Sequence, residues 1–378
     1  MNFLFHLRSD ATSKPGGDAS LGRQFKALLE RAGHRVELST STAVGDGAYD
    51  ASLTFNLDRP FESAQFARNC QRRGIPVMLY CLHHPGAGVA SYLRGGTLGF
   101  RRYFARAARF QPTAYESLLT LAKVAGRKFV AQRYSDLAYI DTRRAQNYLL
   151  GQAAVLIGAA ALEVDEIARE FDAPGLPYAV VPHILEALAA VPVGGAPAPR
   201  RDIDVLCAGR IESRKNQLQV ARLAKLFPAA KFVFVGTPSP SEQRYFAEFS
   251  QAIDGLDNVE YYPSMPIDQL RGMFLRARIF ISLSWFEVVS LTEMDAYAHG
   301  CRLLVGKHSY AQEFVSDRAS FINPGDAVAA ASELGRLLAA PPDSVEFDAA
   351  REPALMRMAP EQVLQSFTNV FQKLGIAG

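Results

Sequence analysis

Short apolar runs recur along this chain, separated by stretches whose apolar positions repeat at helical spacing. In the first half Phe3–Leu7, Arg35–Leu38, Ala51–Phe55, Val77–Cys81, Leu137–Ile140, Ala154–Ile157 and Tyr178–Val181 read as strands. Between the first two the pattern predicts a loop, Lys14-Pro15-Gly16-Gly17-Asp18, and a helix over Ser20–Ala32 that Gly33 stops. Residues 187–201 are rich in Pro, Gly and Ala without periodicity, which reads as a linker. A second series follows, with strands at Asp204–Ala208, Lys231–Val235, Val259–Tyr262, Ile279–Leu283 and Arg302–Val305. Strands alternating with helices imply parallel sheets. Near the C-terminus Val363, Phe367, Val370, Phe371 and Leu374 form a helical apolar stripe. The expected architecture is α/β, with two Rossmann-like parallel-sheet domains facing across a cleft. Their predicted bounds are 1–190 and 202–354, with a C-terminal helix over 355–378 packed back on the first.

Composition narrows the class. With 378 residues, 49% hydrophobic and 21% charged, the chain suits two globular domains with sizeable cores. A net charge of +3 is too small to imply nucleic acid. Cys70, Cys81, Cys207 and Cys301 form no CxxC pair, which argues against a disulfide framework or zinc site and fits a reducing cytosol. The apolar start Met1–Leu7 is too short for a signal peptide, and no run of about 18 apolar residues exists to span a membrane. The expected location is cytoplasmic.

The stretch from Trp285 to Gly300 carries the chemistry. It follows the apolar run Ile279–Leu283 and leads into a helical pattern. Glu287 therefore sits at a strand's exit, and Asp295 lies eight residues later on the helix. Two acids so placed can meet two hydroxyl-bearing parts of one ligand at the open end of a parallel sheet. Equally, Glu287 can cap the helix while Asp295 is solvated. Upstream, Gly209-Arg210-Ile211-Glu212-Ser213-Arg214-Lys215-Asn216 follows a strand and opens a helix. That arrangement suits a phosphate-bearing ligand, or else is a solvated basic turn. Phe232–Val235 ends in Gly236, where a backbone can approach a ligand.

In this order the features resemble the retaining glycosyltransferases of family 4 (glycosyltransferases group 1), which have the two-domain GT-B fold. That family shows Gly-Arg with a Lys five residues after the Arg, a strand ending in Gly, Glu-x7-Glu, and Ala-x-Ala-x-Gly. Here Arg210 and Lys215 keep the first spacing, Glu287 and Asp295 fill the acid positions, and Ala296-Tyr297-Ala298-His299-Gly300 follows. Glu313 and Pro324-Gly325-Asp326 also fall where the family has similar residues, and Gly16-Gly17 with Gly33-His34-Arg35-Val36 matches its opening. Asp295 replaces the usual second Glu, Val288-Val289-Ser290 replaces Gly-Phe-Gly, and Pro182-His183-Ile184 stands where Pro-Asn-Gly is usual.

The resemblance implies a sugar moved from a nucleotide-diphosphate sugar, uridine- or guanosine-linked, to a glycan or lipid-linked acceptor, as in bacterial surface-polysaccharide biosynthesis. No metal and no further cofactor are implied. Gly209, Arg210 and Lys215 would hold the diphosphate, with amides around Ser290 and Leu291 at a helix N-terminus. Asp295 would meet the ribose, Glu287 the donor sugar, and Gly236 and Met265 the nucleotide, while Gly17 would allow close approach of the first domain. His83 or His84, after the strand Val77–Cys81, would lie beside the transferred sugar and assist proton movement, unless it merely caps the strand. Asp202-Ile203-Asp204 matches the metal motif of the other large glycosyltransferase fold, but it precedes a strand, at the wrong edge for a ligand. Two rival readings are a non-catalytic nucleotide-sugar-binding partner protein and a nucleotide-sugar 2-epimerase. Finally, residues 94–133 hold nine cations, interleaved with aromatic residues and opposed by Glu116 alone. That composition suits either a peripheral contact with an anionic membrane or a solvated helix face.

Overall fold

The computed structural model describes residues 1–12, 16–125, 141–171, 175–190, 201–315, 318–340 and 352–376. The chain divides into two compact units, Met1–His84 with Arg106–Ile184 and Met358–Gly378, and Pro85–Ala105 with Leu185–Arg357.

The first unit is built on strands β1 (Asn2–His6), β2 (Arg35–Ser39), β3 (Ala51–Phe55), β4 (Val77–Tyr80), β5 (Val155–Gly158) and β6 (Tyr178–Val180). They form one parallel sheet in the order β2-β1-β3-β4-β5-β6. Every residue of β3, β4 and β5 is buried, because helices cover both faces of a parallel sheet; this is why these strands read as unbroken apolar runs. The strand expected at Leu137–Ile140 lies outside the described residues. The helix Pro360–Lys373 buries Val363, Phe367, Val370 and Phe371. Phe371 stacks on Phe3 at 4.8 Å, and Phe367 meets Phe25 edge-on at 4.9 Å.

The second unit repeats the plan with β7 (Ile203–Ala208), β8 (Phe232–Val235), β9 (Val259–Tyr262), β10 (Ala277–Ser282), β11 (Arg302–Gly306) and β12 (Ala319–Ile322). These too are parallel, in the order β12-β11-β10-β7-β8-β9. The chain builds outward from β7 to β9, then returns to place β10 on the other side of β7. The sheet therefore reverses its winding between β7 and β10, the position at which such sheets open a ligand crevice beyond their carboxyl ends. Val205, Phe232, Phe234, Phe249, Ile279 and Leu304 lie in its core. Strand β12 is not evident from the sequence pattern: Ala319-Ser320-Phe321-Ile322 is short, half-buried and at the sheet edge.

Two segments depart from the predicted divisions. Residues 85–105 cluster with the second unit, although the sequence pattern assigns all of 1–190 to the first. The helix Gly86–Gly95 explains this, since a Cβ at Gly95 or Gly96 would lie 2.7 or 2.5 Å from the Trp285 ring. Tyr92 from the same helix shares a 2.8 Å hydroxyl hydrogen bond with Ser213. The predicted linker begins with a short helix, Ala187–Ala190, and residues 191–200 lie outside the described residues. Among the described residues no helix is long and apolar enough to cross a membrane, and all four cysteines are buried and free.

Candidate functional site

In the second unit three loops converge at the carboxyl edge of the sheet, around the switch between β7 and β10. The loop after β7 starts at Gly209, whose φ of +148° is a conformation L side chains rarely adopt. A Cβ on Gly236, after β8, would lie 1.9 Å from the Gly209 carbonyl oxygen, so only glycine lets these strand ends meet. The chain then turns through Ser213–Lys215 and enters the helix Gln217–Leu226 at Asn216, itself left-handed at φ +57°. Gln217 donates to the Arg210 carbonyl at 2.7 Å, fixing the turn from below.

The loop after β10 is tied to this turn at several points. Trp285 donates its backbone N–H to the Arg214 carbonyl at 2.9 Å, and the Arg214 guanidinium donates to the Phe286 carbonyl at 3.1 Å. Glu287 accepts from Arg214 at 2.8 Å and pairs with Lys215 at 2.6 Å through the same carboxylate oxygen. The loop after β11 closes the third side, with the Glu287 backbone N–H donating to the His308 carbonyl and the Tyr310 backbone N–H to that of Val288, both at 2.9 Å. Glu287 is 8% exposed. Burial alone would raise its pKa, but Arg214 and Lys215 outweigh that and hold it down at about 2. Arg210 has half its side chain in solvent, 3.8 Å from Glu212. Three cations thus stand at the mouth of the crevice, one of them, Arg214, not singled out by the motif spacing.

Ser290 and Leu291 lie where expected, at the start of the helix Leu291–Ala298, whose first amides have no acceptor within the helix. Ser290 is extended and makes no side-chain cap bond to the helix N-terminus, whose partial positive charge favours anions. Val288 and Val289 are buried at 6% and 5%, consistent with a loop bulkier than glycine would make. Glu293, in the first helical turn, is 1% exposed and accepts from the Ser282 hydroxyl at 2.7 Å, while its other oxygen has no hydrogen-bond partner. Burial first, and the nearby charge of Glu287 second, push its pKa up to about 7. No motif predicts this acid.

Asp295 does not share the electrostatic setting of Glu287. Burial raises its pKa to about 6, Arg271 opposes the rise and Glu186 adds to it; one carboxylate oxygen has no hydrogen-bond partner. Met265 is half-buried and follows β9, the outer strand on the β8 side. Asp202 and Asp204 flank the start of β7, at the opposite edge from the crevice. Arg276 donates twice to Asp202, at 2.8 and 2.6 Å, and Asp204 accepts from Arg278 and from the Lys231 backbone at 2.9 Å each. Both acids are engaged in structural pairs.

In the first unit a cluster of carboxylates organises the histidine pair after β4. Leu82 takes a positive φ of 46°, which turns the chain out of the strand. The His83 backbone N–H then meets the fully buried Glu163 at 2.6 Å. Burial lifts the pKa of Glu163 to about 7, against the N–H bonds from His83 and Ala159. The His83 ring is 5% exposed and bonded at both nitrogens, to Asp58 at 2.5 Å and Glu170 at 2.8 Å. Burial opposes its charge, yet the two acids hold its pKa up at about 10. Both ring nitrogens of His83 are thus engaged by carboxylates that favour its charged form.

His84 differs. Its side chain is 29% exposed, and Asp58 accepts from both its backbone N–H (3.0 Å) and its Nδ1 (2.6 Å). Asp58, just beyond β3, was not evident as a site residue, although an acid at a strand exit is the signal that marked Glu287. Gly17 opens the helix Gly17–Arg31 beyond β1, and a Cβ there would meet nothing within 4 Å.

Residues 196–352 match the family model described as glycosyl transferases group 1. No curated protein gives a significant sequence match. Among solved structures, sucrose-phosphate synthase from Thermosynechococcus elongatus is similar with a TM-score of 0.65 at 15% identity, covering all of both chains. The Anabaena protein HepE in complex with UDP and glucose aligns with a TM-score of 0.60 at 14% identity, over 98% of this chain and 99% of its own. An E. coli trehalose-6-phosphate protein bound with UDP-2-fluoro glucose gives 0.57 at 10% identity, over 100% and 98%. At such identities the likeness concerns the fold.

Proposed function

We propose, for a chain that carries a group 1 glycosyl transferase domain over residues 196–352 in a GT-B fold, a sugar transfer from a nucleoside-diphosphate sugar to a glycan or lipid-linked acceptor. The observation that carries this reading is the convergence of Arg210, Arg214 and Lys215 with a bare helix N-terminus at the switch crevice. That constellation fits a diphosphate, and a neighbour of the same fold is described with UDP and glucose.

In this reading the anomeric carbon–oxygen bond to the diphosphate breaks as the acceptor oxygen bonds the same carbon. The leaving diphosphate gains negative charge, so preformed cations stabilise it more in the transition state than in the ground state. Removing one such contact typically costs about 100- to 1,000-fold in rate. The acceptor's proton passes to a donor phosphate oxygen on the same face, which retains the anomeric configuration. When phosphate approaches Lys215 and Arg214, Glu287 shares those cations and becomes available to the sugar's hydroxyls. Asp295 takes the ribose hydroxyls, and Gly236 and Met265 line the path to the nucleotide. His84, oriented by Asp58, is the histidine this reading assigns to the transferred sugar, and Gly17 leaves room at the first sheet's edge. The cations fill the role a metal has elsewhere, and Asp202 and Asp204 are spent on arginines, so the reaction is metal-independent and needs no cofactor. The setting is cytosolic, and surface-polysaccharide assembly is the process that suits it.

Thermal-shift screening against nucleotides and nucleotide sugars tests the reading, followed by transfer assays with the best donor. A ligand at 100 times its Kd stabilises a protein by about 2.7 kcal/mol. Absence of any shift with uridine or guanosine diphosphate and their sugars would overturn it.

A further inference from the structure

We propose that the helix Gly99–Ala107 docks this protein on an anionic bilayer. Part of the basic, aromatic region of the sequence, residues 126–133, lies outside the described residues, and among the described ones this helix carries the exposed aromatic rings. Arg101 is spent on an ion pair with Glu242 at 2.6 Å, and Tyr115 is buried at 5%. What remains exposed on the helix is sharply patterned. Phe100 and Tyr103 are each 71% exposed, and Phe104 packs beside both, with ring centroids at 4.6 and 6.1 Å. At helical spacing residues 100, 103, 104 and 107 make one stripe, and Arg102 and Arg106 lie together to the side of it. Arg101 and the fully buried Ala105 mark the inner side. Arg102 and Arg106 are exposed and have no ion pair among the described residues. From Pro85 to Tyr115 the sequence contains no acid at all.

An aromatic stripe beside a basic one is the pattern of a helix lying in the plane of a membrane interface. The rings sit at headgroup depth, and arginine stems reach up to the lipid phosphates. The exposed apolar area also favours a bilayer over a protein partner. Two aromatic rings offer at most about 300–500 Å², whereas a stable protein interface covers about 800 Å² on each side. A bilayer needs only a small apolar insertion when charge attraction adds to it.

Co-sedimentation with vesicles of equimolar phosphatidylcholine and phosphatidylglycerol, against phosphatidylcholine alone, tests this with the full chain. Wild-type protein binds the anionic vesicles at low salt and leaves them as salt is raised. Arg102→Glu with Arg106→Glu weakens that binding at least about thirtyfold, from the usual contribution of each arginine near an anionic surface. Phe100→Ser with Tyr103→Ser weakens it independently of salt. Both double variants keep the wild-type melting temperature and nucleoside-diphosphate shift, which separates this proposal from the one on catalysis. Equal binding to both vesicle types, no binding at low salt, retention by either variant, or a self-association that both variants abolish would overturn it.

Discussion

Glu287→Gln offers the sharpest test of how the crevice is built. Glu287 is buried and serves two cations through one oxygen, so its replacement leaves Lys215 and Arg214 facing a neutral amide. The pKa depression from 4.5 to about 2 corresponds to about 3 kcal/mol of differential interaction. Breaking buried pairs by removing one partner typically costs about 3–5 kcal/mol, and the partial exposure of Arg214 favours the lower end. The variant should therefore lose about 3 kcal/mol of unfolding free energy at pH 7. Because the folded pKa lies below the unfolded one, the wild-type advantage is complete above pH 4.5 and disappears as pH falls through about 2. Sugar transfer should fall sharply if, as proposed, this carboxylate meets the sugar's hydroxyls. Nucleoside diphosphate should nevertheless stabilise the variant more than the wild type, because phosphate no longer competes with an internal anion. Urea titrations at pH 7, with and without nucleoside diphosphate, read both effects. An unliganded variant as stable as the wild type, or a nucleotide shift smaller than the wild type's, would refute the reasoning.

The other expectations concern single groups. Asp58→Asn should lower kcat more than it raises KM, by disorienting His84, with the stability gap to wild type widest between about pH 4 and 6.5, since the depressed Asp58 carboxyl loses its advantage at lower pH. That gap should narrow toward pH 10, since His83 charge in the fold is retained up to about 10; a gap independent of pH would show that His83 is not the charged partner. Glu293→Gln should leave stability unchanged at pH 4 and raise the melting temperature at pH 8. The reason is that a buried carboxyl whose pKa is raised from 4.5 to about 7 costs stability once ionised. Equal melting shifts at both pH values would contradict that. Gly236→Ala should destabilise by about 1–3 kcal/mol in chemical denaturation, as the new methyl must push the Gly209 carbonyl away; a neutral result would mean the two strand ends separate easily.

Most of the sheet framework was legible because helix-covered parallel strands are apolar on both faces, so β3 and β10 announce themselves as runs. Strand β12 was not, because an edge strand of half-buried residues leaves no such run. The position of Arg210, Lys215 and Glu287 at strand exits was readable from spacing. Arg214 was not, since nothing local distinguishes a guanidinium folded back on Phe286 and Glu287 from one in solvent. The same limit applied to the histidines. Neighbours in sequence, His83 and His84 differ only through Asp58, Glu163 and Glu170, which lie 25 to 87 residues away. The docking of residues 85–105 in the second unit depends on glycines meeting Trp285, a contact across about half the chain that periodicity does not register.

The position of the helix Pro360–Lys373 bears on the order in which the protein can mature. A nascent chain exposes Phe3 and Phe25 long before Phe371 and Phe367 are synthesised to cover them. The first unit therefore cannot complete this packing in the N-terminal-first order usual during synthesis. The second unit holds all its segments once residue 357 has emerged, while the first must wait for what comes after. Until that helix is made, the rings of Phe3 and Phe25 lack the partners that cover them in the finished fold.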